Sequence, residues 1–545
     1  MKIKVWAFMG ALGVALLALG ASLGPRATAA TASTAPVTVT MFTSPGSDIV
    51  NMDTNWFTKY VEKTFNMTIK WVLAPNDPGT KQSLLLASGD YPAVFLSGNF
   101  TPSQELKYGQ QGVLIPLNKY IAHYAPNVQK AMKDVPGMKE VMTAPDGNIY
   151  GIPQINYCWH CYWSAKYWIN TRWLKELNLK MPTTPDEFYN VLMAFKTHPP
   201  AGVKNVIPLD AGDPNGGAWH GNLVTFLMNA FIYDDESDYF LIQNGKVAFA
   251  PVQPGWKQGL AYIHKLYTSG LFSSEALTQK SDQFYGQVQQ GRVGVFAEGG
   301  VNDAINYGQP GSDWQYWRVV PPLNGPNGHS YAAFFGTGPS SVVFAITNKA
   351  TPDQIAAVVK MVNFIYTVKG TTMLDFGPEG KYWRWAKPGE KGLTGGQALI
   401  SVDWNTFYNG SARQNWGWNQ QGPYYQSQAW RDGGVATPVT SPNGAQTLLQ
   451  QQTTLYYAGH QPRYVFPAAV WIQPSQVQQY SMLQINITNF VNQWTDQFIV
   501  GTKDLNKDWN AYVQGVNNLG LQQYLQMSQS AMGKPLDTSS FKGNG

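Results

Sequence analysis

The sequence has little cysteine: two residues, Cys158 and Cys161, in 545. That excludes a disulfide-scaffolded fold and a four-cysteine zinc site. Charge is also thin, at 13% of residues against about 25% in an average soluble domain. The formal net charge is +5, and Lys2, Lys4 and Arg26 lie in the N-terminal leader, so about +2 remains without it. No dense Lys/Arg cluster occurs, which argues against nucleic acid as a partner, because phosphate neutralisation needs one. There is no Gly-x-Ser-x-Gly elbow, no His-Glu-x-x-His and no phosphate loop. No internal repeat of solenoid length is present, so a purely structural surface protein is disfavoured.

One long apolar run exists, and it is at the start. Lys2 and Lys4 precede Val5 to Gly24, with no charge until Arg26. Ala27-Thr28-Ala29-Ala30 then supplies the small residues that suit a signal peptidase. Residues 1–29 are therefore expected to be a cleaved leader. An uncleaved anchor is the alternative, since the run approaches the ~20 residues needed to span a bilayer. No later stretch is long and apolar enough to span. No cysteine lies near the cleavage region, so a lipid-modified N-terminal cysteine is not available.

What replaces the missing charge is Asn, Gln, Ser, Thr and Gly, with aromatics at 14%. Uncharged hydrogen-bonding groups beside many Trp and Tyr suit a neutral, hydroxyl-rich ligand. The length exceeds one core, which usually stops growing at about 250–300 residues, so two lobes are expected. Val37–Phe42 alternates as a strand, a helix follows around Trp56–Phe65, and Thr68–Val72 is a second strand. Lys81–Ala87 is helical, stopped by Ser88-Gly89-Asp90, before a short buried strand Ala93–Leu96. Strand–helix–strand alternation with Gly-rich turns indicates α/β lobes with a largely parallel sheet. Thr184-Pro185-Asp186-Glu187 reads as a capping box opening a helix, and Thr351-Pro352 opens another, with Ile355, Val358, Val359, Val362 and Ile365 on its buried face. Residues 386–450 read as irregular.

Ala87-Ser-Gly-Asp-Tyr-Pro92, Asp146-Gly-Asn-Ile-Tyr-Gly-Ile-Pro153, Tyr167-Trp-Ile-Asn-Thr-Arg-Trp-Leu174 running on to Pro182–Phe188, Gly291–Phe296 and Phe376-Gly-Pro-Glu-Gly-Lys-Tyr-Trp383 follow one another along the chain. Phe498–Gly501, Asp508–Tyr512 and Leu519–Leu525 complete the set. In this order the stretches together resemble the extracellular solute-binding proteins of bacterial ABC sugar importers, in their long, lipoprotein-like, oligosaccharide-binding branch. The resemblance implies a two-lobe α/β fold of the periplasmic-binding-protein type II, closing on a ligand in the interlobe cleft. It places lobe 1 at 30–155 and 335–385, and lobe 2 at 156–334 and 386–545. It implies an oligosaccharide ligand, a membrane ABC permease as partner, a monomer, and an extracellular or cell-surface location. One departure is the absent anchor cysteine, which leaves release, an uncleaved leader and retention by the transporter all open. A secreted polysaccharide hydrolase or lyase with a cleft carboxylate pair is the alternative.

Within that frame Cys158-Trp-His-Cys161 falls where the chain first crosses between lobes. Its flanks read as strand or extended loop, not as the helix N-terminus a thioredoxin-type thiol needs, and with His160 it offers at most three zinc ligands. A local disulfide is the reading, two free thiols the alternative. Trp159 and Trp163 beside it, Trp219 in a Gly-rich loop, Trp383 flanking Arg384, and Trp416 in Asn415-Trp-Gly-Trp-Asn419 are candidates to stack on sugar rings in the cleft. Glu298, after the strand Val293–Ala297, and Asn99, after Ala93–Leu96, are candidate polar anchors, because strand ends open into the cleft of such sheets. No catalytic residue, metal or cofactor is expected. Asp504-x-Asn506-x-Asp508 lacks the glycine and acid of a calcium loop, Asp504 reading instead as a helix cap. The loop from Asn178 and Lys180 to Asp186 and Glu187, where some alginate-binding relatives hold calcium, leaves that ion open.

Overall fold

The computed structural model describes residues 35–542, apart from 47, 76, 99, 215–216, 337–338, 405–413 and 469. From Val37 onward the chain builds two principal sheets. The first has six strands in the order Tyr425–Gln426, Gly151–Asn156, Pro339–Ile346, Val94–Phe95, Val37–Thr43 and Met67–Leu73. Val37–Thr43 pairs parallel with both its neighbours, in register from Val37 opposite Met67 to Thr43 opposite Leu73. Pro339–Ile346 runs antiparallel to the strands on either side. The second sheet orders Trp317–Val319, Tyr167–Asn170, Val293–Ala297 and Ile207–Asp210. The expected α/β fold in two lobes is the one found.

Local chemistry explains the helix starts. Asn55 accepts from the Phe57 amide at 3.0 Å to open Trp56–Thr64, and Thr351 with Gln354 forms a reciprocal capping box at Pro352–Ile365. Such caps satisfy amides that have no partner inside the helix. That helix buries Ile355, Val358, Val359, Val362 and Ile365, the face its periodicity predicts. At Thr184 the cap differs from expectation. The Glu187 carboxylate bonds the Thr183 amide and hydroxyl, each at 2.8 Å, instead of reaching back to the Thr184 amide. Asp504 likewise holds a turn through the amides of Asn506 and Lys507, and the helix Trp509–Asn518 starts after Asp508.

Among the described residues the strands change sheet between Asn156 and Tyr167, between Val319 and Pro339, and again after Gln426, where the chain returns to the second core. The last passage corrects the expected boundary at 385. Ile400–Val402 pairs antiparallel with Trp383–Trp385, and Tyr425–Gln426 extends the six-stranded sheet. Ile400, Val402, Trp418, Tyr424 and Trp430 accordingly pack in the first core. The second core resumes with Ala445, Leu448 and Leu449 and continues through Ile487, Phe498, Tyr512 and Tyr524. The stretch 386–450, read as irregular, thus contains the strands Ile400–Val402 and Tyr425–Gln426, the short helix Gln428–Asp432 and the start of the helix Ala445–Tyr456. Among the described residues no helix is long and apolar enough to cross a membrane.

Candidate functional site

The first crossover carries the two cysteines. The structure joins Cys158 and Cys161 in a disulfide with Cα atoms 5.2 Å apart. Residues Trp159–Trp163 between and beyond them form one turn of 3-10 helix, where the sequence reading expects extended chain. The turn is pinned from beneath by Lys166, whose buried ammonium donates to the carbonyls of His160 and Trp163. With no acidic partner, burial draws the Lys166 ammonium down to about 7. Burial, followed by the charges of Lys166 and Arg431, holds the His160 imidazole well below its ordinary value, so it is neutral at physiological pH. The two sulfurs and the His160 ring lie within 4.8 Å of one another, but the sulfurs are bonded to each other and so do not offer thiolates.

This disulfide turn lines a cavity of about 310 Å³, at the small end of the ~300–1,000 Å³ usual for ligand sites. The first lobe contributes Asn156, Asp375, Phe376, Gln426, Trp430 and Arg431; the second contributes Trp219, Gly300, Asn302, Asp303 and Leu449. Trp404 also faces it, its ring edge-on to Phe376 at 5.4 Å. Asp375, the acid of the helix Val368–Phe376, is 1% exposed; its carboxylate accepts from the Gln426 side-chain amide at 2.6 Å and from the Gln420 backbone amide. Gln426 Oε1 and Asn302 Oδ1 are buried without a hydrogen-bond partner. Burial lifts the Asp375 carboxyl to about 7, partly offset by the Arg431 charge and the Gln426 hydrogen bond. Burial lifts Asp303 to about 7 as well. The Arg431 guanidinium reaches Asn156 Oδ1 twice, at 2.9 and 2.6 Å.

Residues 51–372 match the sequence profile of the bacterial extracellular solute-binding proteins, more than half of the chain. The chain belongs to that family. Similar proteins include the fructooligosaccharide ABC transporter substrate-binding protein FusA of Streptococcus pneumoniae serotype 4, 31% identical over 281 residues and 50% of each chain. The polygalacturonan/rhamnogalacturonan-binding protein YtcQ of Bacillus subtilis is 24% identical over 356 residues, 64% of this chain and 67% of that one. The match to the first of these therefore spans about half its length. In structure, the S. pneumoniae FusA complex with kestose superposes with a TM-score of 0.77 at 22% identity, over 90% of this chain and 98% of that one.

In this solute-binding protein only Trp219, of the five tryptophans expected to line the cleft, faces the 310 Å³ cavity. It is 37% exposed. Its carbonyl accepts from the Gly299 amide at 2.7 Å, and its indole lies directly over Gly299, where an added Cβ would come within 2.5 Å of the ring. Gly299 thus sets the ring's position. Gly299→Ala should lower the unfolding free energy by about 1–3 kcal/mol through overpacking, measured by urea denaturation; an unchanged midpoint would show that the ring is not seated there.

The other candidates are corrected by packing. Trp163 is fully buried, its Nε1 donating to Gln461 Oε1 at 3.1 Å. Trp383 is buried with its Nε1 on the Gly377 carbonyl, because the hairpin folds it inward. Trp416 is half-buried away from the cavity, under the Lys381 ammonium at 4.9 Å. Trp159 donates to Thr454 Oγ1 at 2.9 Å and lines a smaller adjoining crevice with Leu393 and Val402. Glu298 is fully buried; its carboxylate accepts from the Tyr285 hydroxyl at 2.9 Å and the Gly299 amide at 3.1 Å, so it stands behind Trp219 and not in the cavity. The strand end does deliver polar groups to the cleft, but they are Asn302 and Asp303, five and six residues after Ala297. Asn99 lies outside the described residues.

Sequence reasoning missed Trp404, Trp430, Asp375 and Arg431. Asp375 had a readable signal: an acid in the apolar run Met373-Leu-Asp-Phe376 is buried only where its polar atoms have a use. The other three lie in the stretch read as irregular, where no periodicity assigns a face.

Proposed function

We propose that this solute-binding protein is exported, captures an oligosaccharide between its lobes, and presents it to the membrane permease of an ABC importer. The observation that carries the reading is the composition of the interlobe cavity. Aromatic side chains from both lobes, Trp219, Trp404 and Trp430, line it together with the polar side chains of Asn156, Asn302, Asp303, Gln420 and Gln446. An apolar wall with a few polar side chains is the usual make-up of a small-molecule site: sugar hydroxyls would exchange hydrogen bonds with the amides while C–H faces pack on the indoles. The named ligands of the similar proteins, fructooligosaccharide and kestose in one case and polygalacturonan in another, are consistent with a saccharide. Monomeric delivery, with lobe closure as the signal to the permease, follows from the same reading.

The presence of Asp303 and Asp375 in one cavity revives the carboxylate-pair alternative. A glycosidase needs one carboxyl kept protonated and its partner ionised, which requires environments that push the two apart. Here both carboxyls are lifted to about 7, so no division of labour is built in. A thermal-shift screen against fructan, milk-type, glucan, alginate and pectin oligosaccharides tests the binding reading. A ligand at a hundred times its Kd should stabilise the protein by about 2.7 kcal/mol and be recovered chemically unchanged. Shortened or unsaturated sugar in the recovered fraction would instead establish the enzyme.

A further inference from the structure

We infer that the second lobe carries a site of its own for a small organic cation, an aliphatic di- or polyamine, between the helix Val477–Val500 and the loops at 212–214 and 234–239. The site is a cavity of about 400 Å³ that shares no lining residue with the interlobe one, so it stands apart from the oligosaccharide reading. Its origin is visible in the helix. Thr488, Asn492, Thr495 and Asp496 follow at i, i+4, i+7 and i+8, which sets four polar side chains on one face. The row beside it, with Ile487, Val491 and Phe498, enters the core. The polar row lines the cavity together with Asp213, Asp234 and Glu236 from the loops. Four carboxylates therefore share one space, and among the described residues no Lys or Arg lines it.

Two unpartnered oxygens, on different elements, call for an occupant that donates. Thr495 is 6% exposed, and its Oγ1 has no hydrogen-bond partner, although a helical Thr can bond the carbonyl one turn back. Glu236, its side chain 10% exposed, pairs one oxygen with His220 and leaves Oε1 unpartnered. Both residues line the cavity. Cationic N–H groups make the strong, charge-assisted bonds to such acceptors, and Leu223, Val224, Trp256 and Leu277 give the rest of the wall an apolar surface for methylenes. The carboxylates do not converge on one point. Among the described residues, the one group of three His, Cys, Asp or Glu ligands close enough to share a metal ion is Cys158, His160 and Cys161. Calcium, which takes about six to eight oxygens at once, therefore fits less well than ammonium groups spaced along a chain.

Empty of a cation, the acids resist ionising. Burial, then the Asp235 charge, lifts Asp234 to about 8; burial, then the Asp213 charge, lifts Asp496 to about 6. Tyr233, Asp235, Glu236 and Tyr239 face Asp234, Asp213 faces Asp496, and His220 faces Glu236. An alkylammonium keeps its proton to about pH 10, so it meets more carboxylate charge as pH rises and is held more tightly.

The test is calorimetric titration of the protein at pH 8.5 with putrescine, spermidine, calcium chloride and, as the uncharged control, 1,4-butanediol. Saturable one-to-one binding of putrescine or spermidine is expected, and none of the diol. The amine should bind about tenfold or more weakly at pH 6.0, a readout that needs no variant to fold. Asp496→Asn, at a half-buried helix position, should weaken it about tenfold or more. Asp186→Asn, on an exposed carboxylate near Lys265, should leave it unchanged. Absence of saturable amine binding overturns the inference, as does an affinity indifferent to both pH and Asp496→Asn. Calcium bound more tightly than either amine and lost in Asp496→Asn overturns it as well, by making the cavity a metal site.

Discussion

Trp163→Ala should cost the ligand-free protein about 3–5 kcal/mol of unfolding free energy, the usual range for emptying a buried Trp site. The ring is fully buried and touches Trp159 at 5.1 Å, Phe334 at 5.5 Å and Tyr162 at 5.9 Å between centroids. Its hydrogen bond to Gln461 is the lesser loss, because Gln461 Oε1 also accepts from the Gly459 amide at 3.0 Å. Packing is the main term. Trp219→Ala should behave oppositely, changing stability by about 1 kcal/mol or less, as exposed positions usually do. Chemical denaturation of both variants without ligand checks this. Equal losses would show that Trp219 is as much a core residue as Trp163.

The ligand-free protein should also lose several kcal/mol of stability between pH 5.5 and pH 7.5. Burial raises Asp210, Asp235, Asp303 and Asp375 to about 7 and Asp234 to about 8, from an ordinary 3.8. In that window the folded chain holds protons that the unfolded chain has released, so stability falls as pH rises, by up to about 1.4 kcal/mol per pH unit for each group. Two groups act the other way. His160 is depressed below 6.5, so its folded-state penalty for protonation disappears as pH rises through the ordinary value. Lys166, depressed to about 7, adds stability with rising pH only between about 7 and its ordinary 10.5. Five acids outweigh one imidazole below pH 7. Urea midpoints that rise from pH 5.5 to 7.5 would contradict this, and Asp234→Asn should flatten the profile if Asp234 is the largest contributor.

Much of the fold was legible because its signals are local. Alternation in Val37–Phe42 and the 3.6-residue spacing in Pro352–Ile365 each identify an element whose buried face the structure reproduces. The site was less legible, since its residues converge from the strand end after Val293–Ala297, the helix Val368–Phe376 and the segment from Gln426 to Arg431. Local spacing does not record such convergence. It also fails to separate Trp163 from Trp219: one is swallowed by a 3-10 turn packed on Phe334, the other is held over a glycine at the cavity wall. The Gly-rich loop around Trp219 was the informative feature, because a loop with few side chains of its own gives a Trp little core to enter. Trp-x-Trp spacing does not fix which ring is exposed. In Trp383-Arg-Trp385 one ring is buried and its neighbour exposed, and in Trp416-Gly-Trp418 the second ring packs against Phe57 at 4.8 Å.

If the interlobe cavity binds an oligosaccharide with Trp219 as one wall, a pair of binding isotherms shows it most directly: one for the wild-type protein and one for Trp219→Ala, with the tightest oligosaccharide found in the screen. The wild type is expected to bind saturably, one to one, and the variant to lose about 2 kcal/mol or more, some thirtyfold in Kd, with the ligand-free unfolding midpoints nearly the same. Binding of undiminished affinity by a well-folded Trp219→Ala protein would contradict it.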